Sequence, residues 1–141
     1  MNKLRLLSFL FATLFVVTFS SCGDDEDDVK PSASAMLTAG IWQANEVFVD
    51  GIDFSQNVDL ENTNIIFNSD GTYVFELNGD TQNGTWELTS NDQKILLDEG
   101  RSDEITADIL QLTNSNLDIE LTETDPDTGD DTTFEFHFIR D

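Results

Sequence analysis

The sequence predicts an all-β fold: a small eight-stranded up-and-down antiparallel β-barrel with a short helical turn before its first strand. Three observations carry this. Asn64 to Leu77 has the outline of a hairpin, two apolar β-forming runs flanking Asn68-Ser69-Asp70-Gly71, residues that tolerate a tight reversal. Further alternating runs follow, separated by polar turns of hairpin length, which favours a meander over Greek-key crossings. Counted with a first strand near Trp42 the runs number eight, and eight antiparallel strands close most simply into a barrel.

The chain opens with residues outside that barrel. Lys3 and Arg5 precede an uncharged run, Leu6 to Phe19, that is too short to span a bilayer and is followed by small residues. This is the pattern of a secretory signal, assigned to residues 1–21. Phe19-Ser20-Ser21-Cys22 resembles the lipobox of bacterial lipoproteins. The resemblance implies cleavage before Cys22 and acylation of that cysteine, the only one in the chain, which makes the membrane a partner through its lipid. The alternative is a buried thiol or half of an intermolecular disulfide. Gly23-Asp24-Asp25-Glu26-Asp27-Asp28 has no apolar residue to drive collapse, so residues 22–35 read as an acidic, flexible tether. This acidic block also resembles the export signal that some Gram-negative bacteria place after the lipidated cysteine. That implies an outer-membrane lipoprotein displayed on the cell surface.

Charge narrows the partners. The whole chain carries −23, and losing Lys3 and Arg5 with the signal moves it by two further units, to −25. Nucleic acid is excluded as a partner, because phosphate contacts need clustered Lys and Arg and only Lys30, Lys94, Arg101 and Arg140 remain. An anionic membrane surface would repel the domain, so attachment must come from the lipid, with the barrel held off; the barrel itself is expected to be monomeric.

Residues 36–141 form the predicted barrel domain. Met36 to Ala39 allows one helical turn before Gly40-Ile41-Trp42 opens a strand that runs to Val49 and ends at Asp50-Gly51. Ile52 to Glu61 is polar and irregular, a loop placed to fold over one rim. In the hairpin, Ile65, Phe67, Tyr73, Phe75 and Leu77 point inward, leaving Asn64, Thr72 and Glu76 to water. Asn78 to Asn83 reverses the chain, and Trp86 and Leu88 then share one face of a strand. Ser90-Asn91-Asp92 turns it again, Lys94 to Asp98 directs Ile95 and Leu97 inward, and Glu99 to Ser102 makes the next reversal. Within Glu104 to Leu112 the apolar residues do not keep one parity, which a bulge near Asp108 would repair. Leu117 to Thr122 alternates regularly with its acids outward. After the Asp125 to Asp131 loop, Phe134, Phe136 and Phe138 share the face of a last strand.

Leu37, Gly40 and Trp42, then Phe67 with Asp70-Gly71-Thr72, then Gly84 and Trp86, then Ile109, Leu112 and Leu117 resemble the spacing in lipocalin-like domains of bacterial surface lipoproteins. The resemblance covers residues 37 to 140. It implies a barrel whose base is closed by Trp42, with Arg140 lying over the indole as a barrel-closing pair, and a small apolar or amphipathic ligand inside. The chain is shorter than true lipocalins, so the cavity should be smaller.

Catalytic machinery is not legible. There is one histidine, His137, which alternates with Phe136 and Phe138 and should be an exposed surface residue, and no metal motif such as H-E-x-x-H occurs. The carboxylates Glu76, Glu87, Asp118, Glu120 and Glu135 fall on predicted outer faces, where they solubilise. The expectation is a protein with no catalytic residues and no cofactor. The Asp125 to Asp131 loop has oxygen ligands at alternating positions and a glycine, with Asp125, Asp127 and Asp130 the candidate calcium ligands, but it lacks the closing bidentate glutamate, so a solvated turn is the simpler reading and calcium the alternative. Trp42, Tyr73, Phe75, Trp86 and Phe136 are the candidate cavity lining. A solid barrel acting as an interaction module is the alternative function.

Overall fold

The computed structural model describes residues 30–141. The signal, Cys22 and the acidic run lie outside the described residues. Residues 31–141 form one compact unit. A five-residue helix α1 (Ala33–Leu37) is capped by Ser32, whose hydroxyl accepts from the Ala35 amide at 3.1 Å. The helix therefore starts inside the stretch assigned to the tether. Local capping chemistry, Ser32 followed by Ala-rich sequence, offset the missing apolar pattern there.

Nine strands follow: β1 (Ile41–Val49), β2 (Ile52–Asp53), β3 (Asn64–Phe67), β4 (Thr72–Leu77), β5 (Asp80–Thr89), β6 (Lys94–Leu97), β7 (Ile105–Leu112), β8 (Asn116–Thr124) and β9 (Asp131–Ile139). β2 is a two-residue extension that pairs only with β1. The other eight run in sequence order, each antiparallel to the next, and β1 pairs with β9 to close the ring. The fold is thus a closed, eight-stranded up-and-down barrel.

Register follows the hydrophobic alternation. Ile65 lies opposite Phe75 and Phe67 opposite Tyr73. Leu117 and Ile119 lie opposite Phe138 and Phe136. Two bulges keep the parity. In β7 the register shifts between Ile109 and Gln111, so that Ile105, Ala107, Ile109 and Leu112 face the core while Leu110 is turned out to water. In β1 a shift between Ala44 and Glu46 keeps Trp42, Ala44 and Val47 all buried. The reversal after β4 is shorter than expected. Asn78 and Gly79, with φ of 53° and 88°, make a two-residue turn, and the polar run that follows is already strand β5. Polar residues near a strand end cost little when their side chains reach water.

The segment after β2 is not irregular throughout. It holds two short 3₁₀ turns, Ser55–Asn57 and Leu60–Asn62, and Val58 and Leu60 pack against the core. Gln43 ties it down by donating to the Leu60 and Thr63 carbonyls.

Candidate functional site

The interior divides into a filled half and a hollow half. At the end where β1 starts, Leu37, Trp42, Phe67, Ile95, Leu117 and Phe138 are all essentially inaccessible to solvent. The Trp42 indole donates to the Leu37 carbonyl at 3.0 Å, so the buried N–H is satisfied and α1 is fastened across the opening. The Arg140 guanidinium carbon lies 4.2 Å from the Trp42 ring centroid. Its nitrogens donate to the carbonyls of Met36 at 2.6 Å and Asn114 at 2.5 Å, joining the helix to the β7–β8 turn. Gly40 packs under the Arg140 side chain, where an added Cβ would approach its Cδ to 3.2 Å. Trp86 completes this end. Its indole donates to the Asn68 carbonyl at 3.0 Å, and its ring meets Phe67 edge-on at 5.2 Å.

The opposite end holds a cavity of about 510 Å³. Its inner wall is apolar, with Ile65, Phe75, Leu97, Ile105, Ile119, Leu121, Phe136 and Phe138; Gln82, Asn83, Asp103 and Glu123 stand at the exposed rim. Phe75 and Phe136 meet edge to face at 5.9 Å. Of the five residues expected to line a cavity, Tyr73, Phe75 and Phe136 do so. Trp42 and Trp86 do not, because each indole N–H is committed to a backbone carbonyl at the filled end. Their size suits them to plugging the barrel. The interior is therefore not solid, and the filled-core alternative holds for half of the barrel only.

The polar feature of the cavity wall is a residue that alternation did not reveal. Asp98, only 4% exposed, follows directly on β6 with a left-handed backbone at φ 54°. Its Oδ2 accepts from the Tyr73 hydroxyl at 2.7 Å, and its Oδ1 accepts from the Thr85 amide and from Arg101 Nη1, both at 3.1 Å. A buried carboxylate needs such donors. Gly84 makes room for it, since a Cβ there would overlap the carboxylate. The one available signal was an acid ending an apolar strand, which reads equally as a turn residue. Burial, the bond to Asp98 and the charges of Asp98 and Asp103 push the Tyr73 phenol well above its ordinary range, with Arg101 opposing. Tyr73 donates its proton to Asp98, and its oxygen keeps lone pairs for another donor.

His137 is not an exposed surface residue. Its ring is 27% exposed, tilted against Phe48 at 5.1 Å, with Nε2 2.6 Å from Glu135 and Nδ1 3.3 Å from Glu46. Burial lowers its basicity, but the bond to Glu135 and the charges of Asp118, Glu135 and Glu46 outweigh that and raise it. Alternation placed it outward correctly; the neighbouring side chains cover it. Asp118, its cross-strand neighbour, is raised chiefly by burial.

The Asp125, Asp127 and Asp130 set is not assembled for calcium. Asp125 Oδ1 accepts from the amides of Asp127 at 2.8 Å and Thr128 at 3.2 Å, so its carboxylate serves the turn itself. Among the described residues no three His, Cys, Asp or Glu side chains are grouped to hold a metal ion.

These observations define the class of protein: an antiparallel barrel plugged at one end and hollow at the other. No protein-family model matches the chain, and no curated protein does. Among solved structures it is similar to bovine odorant binding protein. With that protein complexed with its natural ligand the identity is 16% over 82% of this chain and 77% of the other, at a TM-score of 0.47. With its complex containing a selenium-bearing odorant the identity is 17% over 74% of each chain, at 0.46. With its deswapped triple mutant it is 16% over 72% of each, at 0.44.

Proposed function

We propose that this chain is a lipocalin-like lipoprotein of the bacterial outer membrane. In this reading it is held by acyl groups on Cys22, displayed on the cell surface, and carries a small amphipathic molecule in the hollow end of its barrel without catalysing a reaction. The observation that carries the binding role is the cavity itself. A volume of about 510 Å³ falls within the range of ligand pockets, roughly 300–1,000 Å³. Its aromatic and aliphatic inner wall, with polar side chains gathered toward the mouth, also suits an amphipathic ligand rather than water alone. The anchor is supported by the residues around Cys22, and the surface address by the acidic run behind it.

Native mass spectrometry of the protein purified from its own host tests the carrier role. An added mass of a few hundred daltons that disappears when Phe75→Trp fills the cavity is the expected result; protein that binds neither a host molecule nor a hydrophobic dye refutes it. Labelled fatty acid should be incorporated in the wild type and lost in Cys22→Ser. Protease treatment of intact cells should degrade the displayed domain, and its protection there contradicts a surface location.

A further inference from the structure

The composition of the cavity wall narrows the class of ligand, and this step rests on the carrier reading above. The polar residues of the lining are Tyr73, Gln82, Asn83, Asp98, Asp103 and Glu123. Three of them are carboxylates and none is Lys, Arg or His. Among the described residues, Arg101 touches two of these acids but lies outside the lining. It is already shared between Asp98, at 3.1 Å, and Asp103, at 3.4 Å. Lys94 is paired with Asp108 at 2.6 Å, and Arg140 is committed to the filled end.

A fatty acid seated with its tail on Phe75, Ile119 and Phe136 would place its carboxylate among these acids with no cation in the lining to receive it. Desolvating a charge without a partner is costly, and like charges at close range add to that cost. An ammonium group in the same place meets acceptors: the carboxylates, the side-chain carbonyls of Gln82 and Asn83, and the Tyr73 oxygen. We propose that the hollow end selects protonated amines bearing an apolar chain over fatty acids of the same length.

Displacement of the neutral dye N-phenyl-1-naphthylamine from the purified protein by decylamine, decanol and decanoate, at low ionic strength and neutral pH, tests this. Decylamine should displace the dye at a concentration about tenfold below decanoate, with decanol between them. Asp103→Asn combined with Glu123→Gln, both at the exposed rim, should shrink that gap to about twofold or less. Equal displacement by amine and carboxylate overturns the preference and leaves the carrier reading standing. An amine advantage that survives these two substitutions with Asp98→Asn added also overturns it, because the attraction of the −23 chain as a whole then explains the effect. Uptake of none of the four molecules removes the carrier reading, and the preference with it.

Discussion

At the base of the barrel Trp42 sits beneath Arg140, and every polar atom of the pair that is buried is matched to a carbonyl. At the mouth Tyr73 and Asp98 are matched to each other, and space remains beside them. Both ends hold a charged group against aromatic rings, yet one is closed and the other open. The difference lies in what the charge binds. Arg140 binds backbone carbonyls from two separate segments and so draws α1 and the β7–β8 turn across the opening. Asp98 binds the Tyr73 side chain, one amide and the exposed Arg101 on its own side of the wall, so nothing is pulled over the hole.

The largest effect should separate the ends directly. Trp42→Ala should cost about 3–5 kcal/mol in urea unfolding, whereas Phe75→Ala, on a wall already facing empty space, should cost less than half as much. Equal losses would mean that the hollow end is packed as tightly as the base. Arg140→Met keeps most of the side-chain volume while removing the ring contact and both carbonyl bonds, for about 2–3 kcal/mol. Dye binding at the far end should be unchanged.

Gly84→Ala asks whether the mouth depends on the seat of Asp98. The added methyl must displace the carboxylate, at about 1–3 kcal/mol, and dye affinity should fall because the cavity wall shifts. Tyr73→Phe removes one of three donors to Asp98 and should cost about 0.5–1.5 kcal/mol. The chain has a single tyrosine, so absorbance near 295 nm reads it alone. Its raised folded-state pKa means that stability is unaffected below the unfolded value near pH 10 and is lost as pH rises above it. No phenolate step should appear until the protein unfolds.

The smallest effect belongs to His137, outside both ends. With its folded-state pKa raised, its contribution to stability is full below the unfolded value of about 6.5 and is lost as pH rises through the folded value. Proton NMR of this lone imidazole should titrate above the ordinary histidine range, and Glu135→Gln should bring it down. A midpoint below 6.5 would mean that burial outweighs the carboxylates.

Much of this fold was legible because antiparallel strands announce themselves. The period-two runs ending in Phe67, Leu97, Leu121 and Phe138 could be read one at a time, as could the turns at Asn68 to Gly71 and Ser90 to Asp92. A bulge in β7 was also visible, since Ile105, Ile109, Leu110 and Leu112 do not keep one parity, but it lies between Ile109 and Gln111 rather than near Asp108. The bulge in β1 was not, because Asn45 and Glu46 are both polar and conceal the extra residue. The helix start at Ala33 was hidden by a composition that also suits a linker.

The sequence by itself determined the strand order, the inward faces and the resemblance that paired Trp42 with Arg140. Those follow from spacing along one chain, which alternation records faithfully. Only the tertiary structure decided which inward rings fill space and which enclose it. Trp42 and Phe75 obey the same alternation, but one is capped by residues about a hundred positions away and the other faces a gap left by its neighbours. It also decided the fate of Asp98. A polar residue at a strand end looks solvated until the pairing of β5 with β4 and β6 brings Tyr73 and Thr85 against it, an arrangement across three strands that the sequence around Asp98 does not encode.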